Sequence, residues 1–191
     1  MGCGKSSVGK ILATLLPECR LIDLDTYIEE KQGKNIPEIF NEYGEAAFRR
    51  MEREALEEIF SDKSRPRAIL SLGGGTVTSE QCRQLIRQHT DCFYLRATTD
   101  TLLDNLEGHS DGRPMLNPTQ PVEAQSTETS SEREALRRRI ESLMQTRSPQ
   151  YLATAHHIID IDGLSFAQIA EIIKEAVETN TLNIKQQNIC L

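Results

Sequence analysis

Short apolar runs recur along the chain at residues 20–23, 68–72, 92–95 and 157–161, separated by stretches whose apolar positions repeat at helical spacing. Strand therefore alternates with helix. This predicts an α/β sandwich around a mainly parallel sheet, with a ligand site at the carboxyl ends of the strands. Three pairs have capping-box spacing and predict helix starts: Thr78 with Gln81, Ser131 with Glu134, and Ser165 with Gln168. Residues 117–131 are polar, contain proline and are rich in Ser and Thr, which predicts a mobile loop. Residues 180–191 are polar except at their very end and read as an untied tail.

Composition narrows the possibilities. A chain of 191 residues suits one domain, and 22 Lys and Arg against 29 Asp and Glu give a net charge of −7 with 38% apolar residues, the profile of a soluble globular protein. No apolar run approaches the ~18 residues of a membrane span, and the N-terminus carries no signal-like pattern, so a cytoplasmic location is expected. Cys3, Cys19, Cys82, Cys92 and Cys190 are odd in number, widely spaced and form no C-x-x-C pair, which fits reduced thiols. An acidic chain has no general attraction for nucleic acid, so the places where cations gather carry information. Arg49, Arg50 and Arg53 form one cluster and Arg137 to Arg139 another, while Arg113 and Arg147 stand near prolines. Arg50, Arg53 and the 137–139 cluster suit solvated helix faces.

The chain opens Met1-Gly2-Cys3-Gly4-Lys5-Ser6-Ser7, and Val8, Ile11, Leu12, Leu15 and Leu16 then mark an amphipathic helix. A glycine-rich turn at a helix start presents backbone N–H groups to phosphate oxygens. Lys5 would reach the outer phosphates and the Ser6 hydroxyl would ligate Mg²⁺. Only the last half of G-x-x-x-x-G-K-[ST] is present, and the strand that leads into such a loop is missing. That strand is central and buried on both faces, so its loss would expose two helix faces at a cost above the ~5–15 kcal/mol margin of a typical domain. Met1 is accordingly expected to be an internal methionine of a longer chain or a start placed too late.

Further along, Leu21-Ile22-Asp23-Leu24-Asp25 puts two carboxylates at the ligand edge of the sheet, one to hold a metal's water shell and one to accept from a substrate hydroxyl. An alternative duty for Asp25 is to cap the helix that follows. Phe48, Met51, Ala55 and Ile59 form the core stripe of a later helix, with Arg49 at its edge, placed either to snorkel or to grip a carboxylate. Gly73-Gly74-Gly75 follows a strand directly, more glycine than a sharp turn requires, and would let a ligand approach the backbone.

Taken in order, Gly2-Cys3-Gly4-Lys5-Ser6, Asp23-Leu24-Asp25, Phe48-Arg49-Arg50, Leu72-Gly73-Gly74-Gly75, Arg113-Pro114-Met115-Leu116 and Arg147-Ser148-Pro149-Gln150-Tyr151 closely resemble the shikimate kinase family. The resemblance implies a three-layer α/β/α P-loop kinase fold like that of the nucleoside monophosphate kinases, with a parallel five-stranded sheet and a mobile lid. Only four of the five strands are legible, the first being the missing one. The domain would span residues 1–179, with the lid at about 108–131 and a tail at 180–191. The implied reaction moves the γ-phosphoryl group of ATP to the 3-hydroxyl of shikimate, with Mg²⁺ as cofactor. By the same resemblance Gly2, Cys3, Gly4, Lys5, Ser6 and Ser7 bind the ATP phosphates, Ser6 ligates the metal, and Asp23 holds it through water. Asp25 takes the shikimate hydroxyls and serves as base or orienting group. Arg49 and Arg147 pair with the shikimate carboxylate beside Gly73, Gly74 and Gly75, and Arg113 swings from the lid onto the phosphates. Lys5, Asp25 and Arg113 are the catalytic candidates. The expected partners are ATP and shikimate, with no nucleic acid, no membrane and nothing that calls for more than a monomer. Two other readings are a gluconate kinase, which lacks reason for the triple glycine and Phe48-Arg49, and a silent nucleotide-binding or regulatory module, which has no need of the whole charged set.

Overall fold

Each predicted apolar run becomes a strand in the computed structural model, which describes residues 2–62, 67–106, 128–179 and 187–191, with side chains from residue 132 onward in the third stretch. These strands are β1 (Arg20–Asp23), β2 (Ala68–Ser71), β3 (Thr90–Arg96) and β4 (His157–Asp160). Between and around them lie α1 (Lys5–Leu15), α2 (Leu24–Gln32), α3 (Ile36–Ser61), a short 3-10 turn (Thr76–Thr78), α4 (Glu80–His89), α5 (Thr99–Leu106), α6 (Glu128–Thr154) and α7 (Phe166–Thr179).

Local chemistry accounts for the helix boundaries. The Asp23 carboxylate caps α2 by accepting from the Asp25 and Thr26 N–H groups at 3.1 and 3.4 Å. Asn35 and Glu38 form a reciprocal capping box at the start of α3, a helix interrupted at Gly44, where φ is 76°. Ser165 and Gln168 form the predicted box before α7, with bonds of 3.3 and 2.9 Å. The cap of α4 is Ser79 rather than Thr78, whose hydroxyl instead donates to the Gly75 carbonyl at 2.7 Å. Ser131 lies outside the described side chains.

All the strands run parallel, in the order β1-β2-β5-β3-β4, and the fifth is β5 (Asn188–Cys190) from the segment expected to be an untied tail. That expectation is corrected, and so is the domain boundary drawn at residue 179. Ile189 stands opposite Ile69 of β2 and Asp91 of β3, and Cys190 stands opposite Leu70 and Cys92. The backbone ladder continues past the strand, where Leu191 donates to the Leu70 carbonyl at 2.8 Å and accepts from the Leu72 N–H at 3.2 Å. The central place thus does not stand open. Ile189 and Leu191 pack among Val8, Leu12, Ile169 and Ile173 of α1 and α7, while Cys190 faces Ile28, Leu56 and Ile86 of α2, α3 and α4. Ile189 and Cys190 are fully buried. Three apolar side chains in alternation cover the two helix faces that a missing strand would expose.

The five cysteines are free, in keeping with their spacing, and all of them are buried. Among the described residues no helix is long and apolar enough to cross a membrane. Arg53 pairs with Glu57 and Arg137 with Asp100 on the surface, in keeping with solvated helix faces.

Candidate active site

The loop before α1 needs its glycines for two separate reasons. Gly2 and Gly4 have φ of 71° and 79°, in the left-handed region that side chains resist. A Cβ on Gly4 would also lie 2.4 Å from the Phe166 ring, and one on Gly2 would lie 2.9 Å from Leu106. Gly4 is the N-cap of α1 yet supplies no side-chain acceptor, so the positive end of this helix faces the carboxyl edge of the sheet without a protein side chain capping it. Lys5 Nζ approaches Cys3 Sγ at 3.6 Å. Burial pushes the Cys3 thiol up, but the Lys5 ammonium outweighs it together with smaller contributions and brings it down from 9.0 to about 7. Burial pulls Lys5 down in turn, yet the charges of Cys3 and Tyr151 leave it above its ordinary value, and therefore cationic. Ser6 Oγ donates to Asp23 Oδ2 at 3.1 Å and lies 3.4 Å from Ser71 Oγ, while Ser7 is exposed beside it.

Asp23 ends β1 and Asp25 already belongs to α2, which begins at Leu24. Asp23 takes the capping duty considered for Asp25. Asp25, in the first turn of the helix, is left to face the glycine loop, where a Cβ on Gly73 would lie 2.8 Å from its Oδ1. Burial, with the nearby charges of Asp23 and Glu52, raises Asp25 from 3.8 to about 6 against the opposing pull of Lys5. A carboxyl with that affinity for protons is poised to accept one near neutral pH.

Arg49 lies across the same loop. A Cβ on Gly75 would come within 2.3 Å of its guanidinium, so Gly73 and Gly75 are small because functional side chains press against them. Arg49 donates to Glu52 at 2.7 Å and to Glu45 at 2.9 Å, while its Nε is buried with no partner. An unpaired guanidinium N–H in a buried setting is a donor that suits an anionic oxygen. From the opposite side, Arg147 of α6 is 7% exposed and donates to the Gly74 carbonyl at 3.3 Å. Asp25, Arg49, Arg147 and the three glycines are therefore brought together, and a pocket lined by Cys3, Lys5, Gly73, Gly74, Tyr151 and Leu191 runs from the phosphate loop to the glycine turn, without Asp25, Arg49 or Arg147 in its wall. Arg113 and the expected lid at 108–131 lie outside the residues whose side chains are described.

The roles of three residues in this region are not stated by any motif. Glu52 is fully buried, where it accepts from Arg49 and from the Thr76 hydroxyl at 2.5 Å. Its signal was available, since it sits on the helix stripe four residues after Phe48 and three before Ala55, where a carboxylate requires a partner. Tyr151 donates to the Gly74 carbonyl at 2.6 Å, and Phe166, 36% exposed, covers Gly4. Neither could be found from spacing, because their partners lie far away along the chain.

A helix N-terminus with glycines in left-handed conformations, Lys5 and Ser6 at the carboxyl edge of a parallel sheet, and a second cluster of charges alongside define a P-loop phosphotransferase fold. The family model of shikimate kinase matches residues 1–178, and the chain belongs to the shikimate kinase family. The shikimate kinase of Thermus thermophilus is 35% identical over 178 residues, covering 93% of this chain and 84% of that protein. That of Chlorobaculum tepidum is 35% identical over 187 residues, covering 98% and 91%. Among solved structures, the shikimate kinase from Acinetobacter baumannii in complex with shikimate superposes with a TM-score of 0.76 at 30% identity, covering 96% of this chain and 91% of that one. The Bacteroides thetaiotaomicron shikimate kinase gives 0.77 at 28% identity, covering 93% and 94%.

Proposed function

We propose that this chain, a kinase by its family, transfers the γ-phosphoryl group of ATP to the 3-hydroxyl of shikimate, giving shikimate 3-phosphate and ADP. The observation that carries the reading is the convergence of Asp25, Arg49 and Arg147 on Gly73–Gly75 beside Lys5 and Ser6. An anionic ring bearing hydroxyls fits that set. Arg49 and Arg147 hold its carboxylate from two sides, and Asp25 orients the reacting hydroxyl and takes its proton. The uncapped N–H groups at the start of α1 hold the phosphates, and Lys5 offsets the charge that develops on the transferring group. Arg113 joins them in the role that the family resemblance gives it.

The oxygen pair of Ser6 and Asp23, 3.1 Å apart at the mouth of the phosphate loop, suits Mg²⁺, a hard cation that keeps much of its water and takes few protein ligands. Mg²⁺ bound there supplies positive charge to the outer phosphates.

The test is ADP release by the purified chain with MgATP and shikimate, quinate or gluconate as acceptor. Release with shikimate far above the other two supports the reading. Equal release with gluconate favours the related sugar-acid kinase, and release independent of acceptor overturns the acceptor assignment.

A further inference from the structure

We infer that Tyr151 is a positioning residue for the acceptor, one that holds the Gly74 carbonyl so that Arg147 is left free to grip the substrate carboxylate. This rests on the proposed acceptor site at Gly73–Gly75. Arg147 and Tyr151 stand one turn apart on α6 and thus share a face. Both donate to the same carbonyl, but unequally: the Tyr151 hydroxyl lies at 2.6 Å, at the short end for an O–H donor, and Arg147 Nη1 at 3.3 Å, beyond the usual range for an N–H donor. A carbonyl oxygen has two lone pairs, and the tyrosine takes the stronger share. Its ring stacks on Tyr94 with centroids 5.1 Å apart, which fixes where the hydroxyl points.

Two consequences follow from pinning that oxygen. The Gly74–Gly75 peptide is planar and trans, so a carbonyl held toward α6 turns the Gly75 N–H the opposite way and sets the floor of the pocket before substrate arrives. Arg147 is also spared. Without the hydroxyl, the half-buried carbonyl would keep only the guanidinium as a protein donor, and the arginine could leave it for a carboxylate only by giving up that bond. Tyr151 removes that competition. Its charge interaction with Lys5 and its place in the pocket wall put it between the phosphate loop and the acceptor loop, but its hydrogen bond goes to the acceptor side alone.

The experiment is a kinetic cycle of wild type, Tyr151→Phe, Arg147→Ala and the double variant, with KM measured separately for shikimate and ATP and thermal melting recorded for each. Phe preserves the ring stack, so folding is expected to survive. Tyr151→Phe should raise KM for shikimate about three- to tenfold, the scale of one hydrogen bond, with KM for ATP unchanged. The two effects should combine to less than their sum in the double variant, because much of the tyrosine's action passes through that arginine. A normal shikimate KM in Tyr151→Phe while Arg147→Ala is impaired would overturn the inference and leave the acceptor site standing. Additive effects, or equal changes in both KM values with a lowered melting temperature, would overturn it too. If Arg147→Ala itself leaves shikimate KM unchanged, the acceptor site assignment fails first.

Discussion

Replacing Asp25 with Asn should make the protein more stable and less active at the same time. Asp25 is raised from 3.8 to about 6 because the folded protein buries it beside Asp23 and Glu52. The folded state therefore holds the proton more tightly than the unfolded chain, and the stabilisation this gives is present in full below about pH 4 and lost as pH rises through about 6. A shift of about two pH units corresponds to at most about 3 kcal/mol between protonated and ionised forms. Asn, neutral at every pH, escapes that penalty. In a chain of 191 residues, about 3 kcal/mol is worth about 6–12 °C in melting temperature at pH 8, and the difference should shrink toward zero near pH 4. Turnover should fall about 10²- to 10⁴-fold with loss of the proton acceptor, and wild-type kcat/KM should rise through about pH 6. The checks are melting of both proteins across pH 4–8 and steady-state ADP release. A variant less stable than wild type at pH 8, a difference independent of pH, or retained turnover would each refute the reasoning.

Other outcomes follow from the phosphate loop and from β5. Lys5→Ala should abolish turnover while leaving shikimate binding, measured by calorimetry, within about threefold of wild type, since the role proposed for the ammonium is on the transferring phosphoryl group and it makes no hydrogen bond to the acceptor residues. Ile189→Ala should destabilise the fold by about 2–5 kcal/mol in a circular dichroism melt, because the side chain is fully buried in the central strand. An unchanged melt would return residues 187–191 to an untied tail.

Much of the fold could be read from the sequence because its signals are local. The runs at β1 to β4, the Ser165 box and the glycine turn before α1 each reveal themselves within a few residues. β5 did not, because Asn188-Ile189-Cys190-Leu191 offers only three apolar side chains in a polar context. Its identity as a strand depends on a slot between β2 and β3 that no local pattern describes. The acceptor residues were legible as motifs, but their partners were not. That Tyr151 holds Gly74 is a fact of tertiary approach, 77 residues apart along the chain, whereas the Asp23 cap on α2 and the Arg49–Glu52 bond are local contacts whose choice of partner the motifs did not settle. Glu52 alone left a trace, as a charge on an apolar stripe.

The central claim is that two arginines facing the triple-glycine loop recognise a carboxylate. It is tested most directly by comparing kcat/KM for shikimate and for its methyl ester in wild type and in an Arg49→Ala, Arg147→Ala double variant. Charge-assisted bonds of about 1.5–3 kcal/mol each predict that wild type prefers the acid by about 10²-fold or more, and that the preference collapses in the double variant. An ester that wild type phosphorylates as readily as the acid would contradict the account.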